Sequence, residues 1–195
     1  MWPLWLISSV GTDPVSPTEY WNTVTRPPHR WLGPEFTTNK ICGGRNNGWM
    51  SDIESAVRPT MGGLVNDITM TLDDEQQRLS ALWAVKTAMV IEREKRAKNS
   101  FYSPEQRSAL RETLIPPVQS AVWLGRCIQS NNVHGEARKL QVSNPTATNP
   151  LEDGCATTFV TGRLVMQVLS IKRKPNASDG SLRLQMRSGR GMRGW

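Results

Sequence analysis

The chain has 195 residues, 37% of them hydrophobic and 21% charged, which suits one domain with appendages and a core of modest size. Its net charge of +7 is unevenly spread: residues 172–195 hold seven basic groups (Lys172, Arg173, Lys174, Arg183, Arg187, Arg190, Arg193) against one acid, Asp179, while the preceding residues carry 17 basic and 16 acidic groups. Three widely spaced cysteines, Cys42, Cys127 and Cys155, exclude a disulfide-stapled secreted framework and make a reducing cytoplasm the expected compartment.

The first 40 residues are rich in Pro, Thr and Trp, and "DPVSP" and "RPPHRWLGPEF" interrupt any long periodic element. One short segment is expected at "WPLWLI". The opening "MWPLWLISSVG" has no basic n-region and only a short apolar run, unlike a signal peptide. "ALWAVKTAMVI" is too short to cross a bilayer and contains Lys86, so a soluble protein without membrane contact is expected.

"SDIE" at 51–54 has the form of a capping box, with Ser51 accepting from the Glu54 N–H and the Glu54 side chain reaching back. The helix it starts would place Ile53, Ala56 and Val57 on one face and end at Arg58, ahead of Pro59. The strongest element spans about 73 to 97. Asp73, Asp74 and Glu75 are best explained as its N-terminal charge, and "REKRAK" supplies mostly positive charge at its end. Leu79, Leu82, Trp83 and Val90 form one stripe and Ala81, Val85 and Ala88 another, so this helix is expected to be central and buried. Lys86 within it is expected to snorkel to an edge.

"SPEQRSALRETL" predicts a more exposed helix, with Ser103 as N-cap, Pro104 in the first turn and Gln106 closing a capping box. Strand character follows at Ala121 to Leu124, then a polar loop over 129–154. "CATTFVTGRLVMQVLSI" reads as two β-rich runs about Thr161-Gly162, either a hairpin or one strand bulged at Gly162. Helices followed by strands imply an α+β class with a buried central helix and a small antiparallel β region. The expected organisation is a loop-rich region over 1–50, an α+β core over 51–171, and a basic, disordered tail over 172–195.

Trp2, Pro3, Trp5 and Leu6 in "MWPLWL", "NNGWMSDIE" at 46–54 and "LWAVKTAMVIE" at 82–92 together resemble a bacterial and phage family related to HNH endonucleases. The resemblance runs over roughly residues 1–171. It implies a treble-clef, or ββα, zinc knuckle followed by a helical and β-rich extension. It also implies a metal-dependent endonuclease, in which four ligands close a structural zinc and a histidine beside a divalent cation activates water against a phosphodiester.

This chain departs from the pattern at the residues that carry the chemistry. The family's histidine would stand just before Trp2, where the chain has only Met1, so the first Cys-x-x-Cys pair is expected to be absent as well. In the second pair Cys42 remains as a vestigial ligand and Arg45 replaces the other cysteine, adding a permanent positive charge. No catalytic residue is assigned, no resident cofactor is expected, and zinc and a divalent cation are implied by the family alone. Without zinc, residues 1–50 are expected to be poorly ordered.

His29 and His134 lie in loop-like sequence and are expected as ordinary surface histidines. Asn46 and Asn47 have two readings: polar groups near metal and phosphate, or turn formers in Asn-Asn-Gly. Trp49 and Met50 are expected as core anchors. Gly43-Gly44 lacks the Lys-Ser/Thr of a phosphate loop.

Three functional classes follow. The first is a degenerate HNH-like protein without nuclease chemistry that contacts DNA or RNA through Arg45, Asn46, Asn47 and the basic tail. The second is an active metal-dependent endonuclease whose true start lies upstream. The third is a non-enzymatic interaction module. A solvated tail with no partner is the alternative reading of residues 172–195.

Overall fold

The apolar run through the middle of the chain is the axis about which the rest is arranged. A computed structural model describes residues 5–6, 18–20, 29–31, 48–95, 100–117, 119–128, 133–142 and 152–172. In chain order these form β1 (Thr18–Tyr20), β2 (His29–Trp31), α1 (Trp49–Val65), α2 (Asp74–Lys95), α3 (Pro104–Thr113), β3 (Ser120–Arg126), β4 (Val133–Val142), β5 (Glu152–Thr161) and β6 (Leu164–Lys172). The class is α+β. The described strands form a small antiparallel pair, β1 with β2, and a four-stranded antiparallel sheet ordered β3-β6-β5-β4.

α2 starts where its charge pattern predicts. Asp73 Oδ1 accepts from the Gln76 N–H at 2.8 Å, and Gln76 Oε1 accepts from the Asp73 N–H at 3.0 Å. That reciprocal pair satisfies two of the donors every helix N-terminus leaves open. Residues 82 to 89 are all buried, so the two apolar stripes enclose the helix as expected. One side packs on α1 and the other on the sheet, where Trp83 meets Phe159 edge to face at 5.6 Å.

α1 corrects two expectations. It begins after Gly48, whose carbonyl accepts from the Ser51 and Asp52 N–H groups at 2.8 and 3.1 Å, so Ser51 lies inside the first turn and is not the cap. It also runs through Pro59 to Val65. Ser55 and Pro59 are on the exposed side, so the carbonyl that proline leaves unpaired can be hydrated. On the opposite side Ile53, Val57, Met61 and Val65 are buried. At about 1.5–3 kcal/mol for each such side chain, they outweigh the roughly 3 kcal/mol cost of the proline.

The polar stretch 129–154 is not one loop, because β4 occupies Val133–Val142 and pairs with β5 from Val133↔Thr161 to Val142↔Glu152. His29 and His134 accordingly lie in strands β2 and β4 rather than in loops. The run about Gly162 resolves as a hairpin: β5 and β6 pair to Thr161↔Leu164, and Gly162 takes φ 55 at the first position of the two-residue turn.

On the core side of the sheet Cys155, Thr157, Phe159 and Thr161 of β5 alternate with half-buried residues, and Leu164, Met166, Val168 and Ser170 of β6 alternate with half-buried or exposed ones. Hydroxyl groups tie the far end together. Tyr102 Oη lies 2.8 Å from Ser170 Oγ, which lies 2.7 Å from Ser120 Oγ. Among the described residues no helix is long and apolar enough to cross a membrane.

Candidate functional site

The three stretches that carry the family resemblance meet in one place. Leu6, from the first, is buried with Ile53 and Val57 of α1 and with Leu82, Trp83 and Val85 of α2 in a single apolar cluster. Trp5 and Trp49 pack against that cluster as core anchors. The Arg58 guanidinium lies 5.8 Å from the centre of the Trp5 ring.

A charge pair crosses this junction. Lys86 Nζ donates to Glu54 Oε1 at 2.5 Å, joining the second resembling stretch to the third. Lys86 therefore does not snorkel to an edge. It is buried, with Trp83 beneath it at 5.9 Å, and burial pulls its pKa below the usual lysine value although Glu54 opposes the shift. The Glu54 side chain, which the capping-box reading would send back along the chain, is engaged here instead.

A second polar centre lies near the end of α2 and was not singled out from the sequence. Glu92, buried, accepts from the Phe101 N–H at 2.6 Å through Oε1, and from Ser100 Oγ at 2.7 Å and Arg107 Nη2 at 2.9 Å through Oε2. Arg107 also donates to the Met89 carbonyl at 2.5 Å and lies over the Tyr102 ring at 5.7 Å. α3 presents this arginine because Ser103 and Gln106 form the expected capping box and fix the first turn. Burial raises the pKa of Tyr102 well above the ordinary tyrosine value, beyond what its bond to Ser170 offsets. An acid and an arginine fifteen residues apart, on either side of a helix break, were the available signal. Each also fits a solvated helix, which is why the pair does not stand out.

This centre ties α2, the segment 100–102 and α3 together. Cys155 is buried and Cys127 half-buried, neither in a disulfide. Among the described residues no group of three or more His, Cys, Asp and Glu side chains is placed to hold a metal ion. Cys42, Arg45, Asn46 and Asn47 lie outside the described residues, as do Arg173, Lys174, Arg183, Arg187, Arg190 and Arg193. The expectations of poor order over 1–50 and a disordered tail fall largely on such residues too.

Lys172 is the one sequence-predicted contact that is described. It ends β6 opposite Asp153, with its Nζ 4.9 Å from the centre of the Phe101 ring. Lys172 thus stands at the end of the sheet where Phe101, Tyr102 and the Glu92–Arg107 centre lie. No family model, no curated protein and no solved structure matches this chain.

Proposed function

We propose that this protein is a degenerate relative of HNH-type endonucleases that binds nucleic acid without cleaving it, through the basic segment that begins at Lys172. The observation that carries this reading is the partition of charge. Residues 172–195 hold a net +6 and the other 171 residues a net +1. A run of cations of this density attracts phosphate backbones by releasing condensed counterions, with little regard to sequence. Lys172, the first of these cations, lies over the Phe101 ring.

The chain's own substitutions support the loss of cleavage. Where the resembling pattern has a second cysteine three residues after Cys42, this chain has Arg45, which neither ligates zinc nor tolerates a divalent cation beside it. The convergence of Leu6, Trp49, Glu54, Trp83 and Lys86 on one core gives those motif residues a structural reason to be kept apart from any catalysis.

The reading predicts salt-sensitive binding of duplex DNA or RNA by the whole chain. Deleting 173–195 removes six basic residues, so the slope of log affinity against log salt should fall by up to about 5, at roughly 0.9 per phosphate contacted. Fluorescence anisotropy at several salt concentrations measures it. Unchanged affinity after the deletion would reject the tail as the contact. Plasmid nicking in Mg²⁺ or Mn²⁺ above a metal-free control would instead favour the active endonuclease.

A further inference from the structure

The four-stranded sheet has two outermost strands among the described residues, and their sequences differ in kind. β4 carries Glu136, Arg138 and Lys139 along its length, with Arg138 bonded to Glu136 at 2.9 Å. Charges of this kind are how natural sheets keep edges from pairing with other chains. β3 reads Ser-Ala-Val-Trp-Leu-Gly-Arg and has no charged residue before its last position.

The hydrogen bonds flanking β3 fix which of its backbone groups are committed. The Cys127 N–H donates to the Arg163 carbonyl at 2.7 Å, and the Ile171 N–H donates to the Gln119 carbonyl at 3.1 Å. In an antiparallel ladder the bonded pairs alternate. With the observed register, Ala121, Trp123 and Gly125 therefore bond to β6. Val122 and Leu124 turn their N–H and C=O groups away from it, toward the edge. Leu124 is 40% exposed. Near it, Asp67 holds Arg126, two residues along the same face, at 2.6 Å, and the neighbouring Ile68 and Ile128 are exposed as well.

We infer that β3 is a self-association edge: two copies of this chain pair antiparallel through it, joining two four-stranded sheets into one. A second copy is the occupant because the strand is self-complementary about Trp123. Turned by a two-fold axis, Val122 meets the partner subunit's Leu124 and exchanges both backbone bonds with it. Trp123 meets the partner subunit's Trp123 in a non-bonded pair, where side chains approach most closely. Ala121 meets the partner subunit's Gly125, which leaves room beside the two indoles. Arg126, already neutralised by Asp67, meets the partner subunit's Ser120, so no like charges are opposed. A contact of one strand per copy is small, so the dimer forms reversibly and depends on concentration.

Sedimentation equilibrium of the full chain, free of nucleic acid, tests this directly. The weight-average mass should climb with concentration from 21.9 kDa toward twice that value. Leu124→Lys should weaken self-association at least about tenfold, equivalent to 1.4 kcal/mol, while far-UV circular dichroism stays unchanged. Trp123→Cys should form an intermolecular disulfide under mild oxidant much faster than Arg138→Cys on the charged strand, which fixes the edge even if the lysine variant folds poorly. A monomer at every concentration, association unaffected by Leu124→Lys, or faster cross-linking at position 138 would each overturn the inference.

Discussion

The central helix α2 is fastened at its middle by Lys86 to Glu54 and near its end by Glu92 to Arg107, at 2.5 and 2.9 Å. In the first pair the deeply buried partner is the cation. In the second it is the anion, with 1% of the Glu92 side chain exposed. The surroundings differ as much as the signs. Among the described residues Lys86 Nζ hydrogen-bonds Glu54 alone, and Glu54 keeps 23% of its side chain exposed, so water still reaches it. Both Glu92 oxygens are engaged by protein donors, and Arg107 joins α2, the segment 100–102 and α3. One centre is an isolated pair that bridges two helices, and the other is a network that sets the path of the chain. Removing the cation should therefore cost little at the first and much at the second.

The sharpest way to break this comparison is Arg107→Met, which keeps most of the side-chain volume but leaves Glu92 buried without its cation. Stranding one member of a buried pair typically costs about 3–5 kcal/mol. The midpoint of urea unfolding should fall by that much with an unchanged denaturant dependence. A loss under about 1 kcal/mol would mean that the Ser100 and Phe101 donors alone satisfy Glu92, and the network would reduce to another pair.

Lys86→Met probes the other side. It removes a desolvated ammonium and leaves Glu54 able to hydrate, so stability should be unchanged or rise slightly, well short of the loss in Arg107→Met. The pH dependence carries the sign. The Lys86 pKa is lower folded than its ordinary 10.5. Between the two values the unfolded chain binds the extra proton, and this site's contribution to stability rises with pH. The methionine variant should lose that rise, seen as a flatter stability profile on the approach to the ordinary lysine value of 10.5. Tyr102 acts oppositely. Its proton is retained in the fold past the ordinary tyrosine value of 10.0 and lost on unfolding, so stability falls as pH climbs further.

These two centres also show why some of the fold could be read from the sequence and some could not. The caps at Asp73–Gln76 and Ser103–Gln106 are closed by groups three residues apart; the second was legible as a capping box and the first only as negative charge at the helix start. Ser51–Glu54 has the same pattern and fails, because Glu54 is recruited by a lysine thirty-two residues away and Trp49 is drawn onto the core, moving the helix start to Gly48. β4 was missed for a related reason: its polar, charged sequence becomes a strand by pairing along its whole length with β5. Of the candidate contacts, the basic tail is legible as charge, whereas the Glu92–Arg107 centre depends on a chain reversal that no local pattern records.

The smallest expected effect concerns the helix that delivers Arg107. α3 ends at Leu114, whose φ of 53 is left-handed and whose N–H bonds to the Leu110 carbonyl at 3.0 Å. Glycine is the usual residue at this position because an L side chain there strains the backbone by roughly 1–2 kcal/mol. Leucine does not recover this by burial, since Leu114 is among the exposed hydrophobic residues. Leu114→Gly should therefore stabilise the fold by about 0.5–1 kcal/mol, the relief of strain being partly offset by the greater freedom of glycine in the unfolded chain. Because α3 carries Arg107 and does not touch the Lys86 pair, the gain should be additive with Lys86→Met. It should shrink in Arg107→Met, where α3 has lost its main tie to α2. Equal gains in all three backgrounds would show that the α3 end and the Arg107 network are independent.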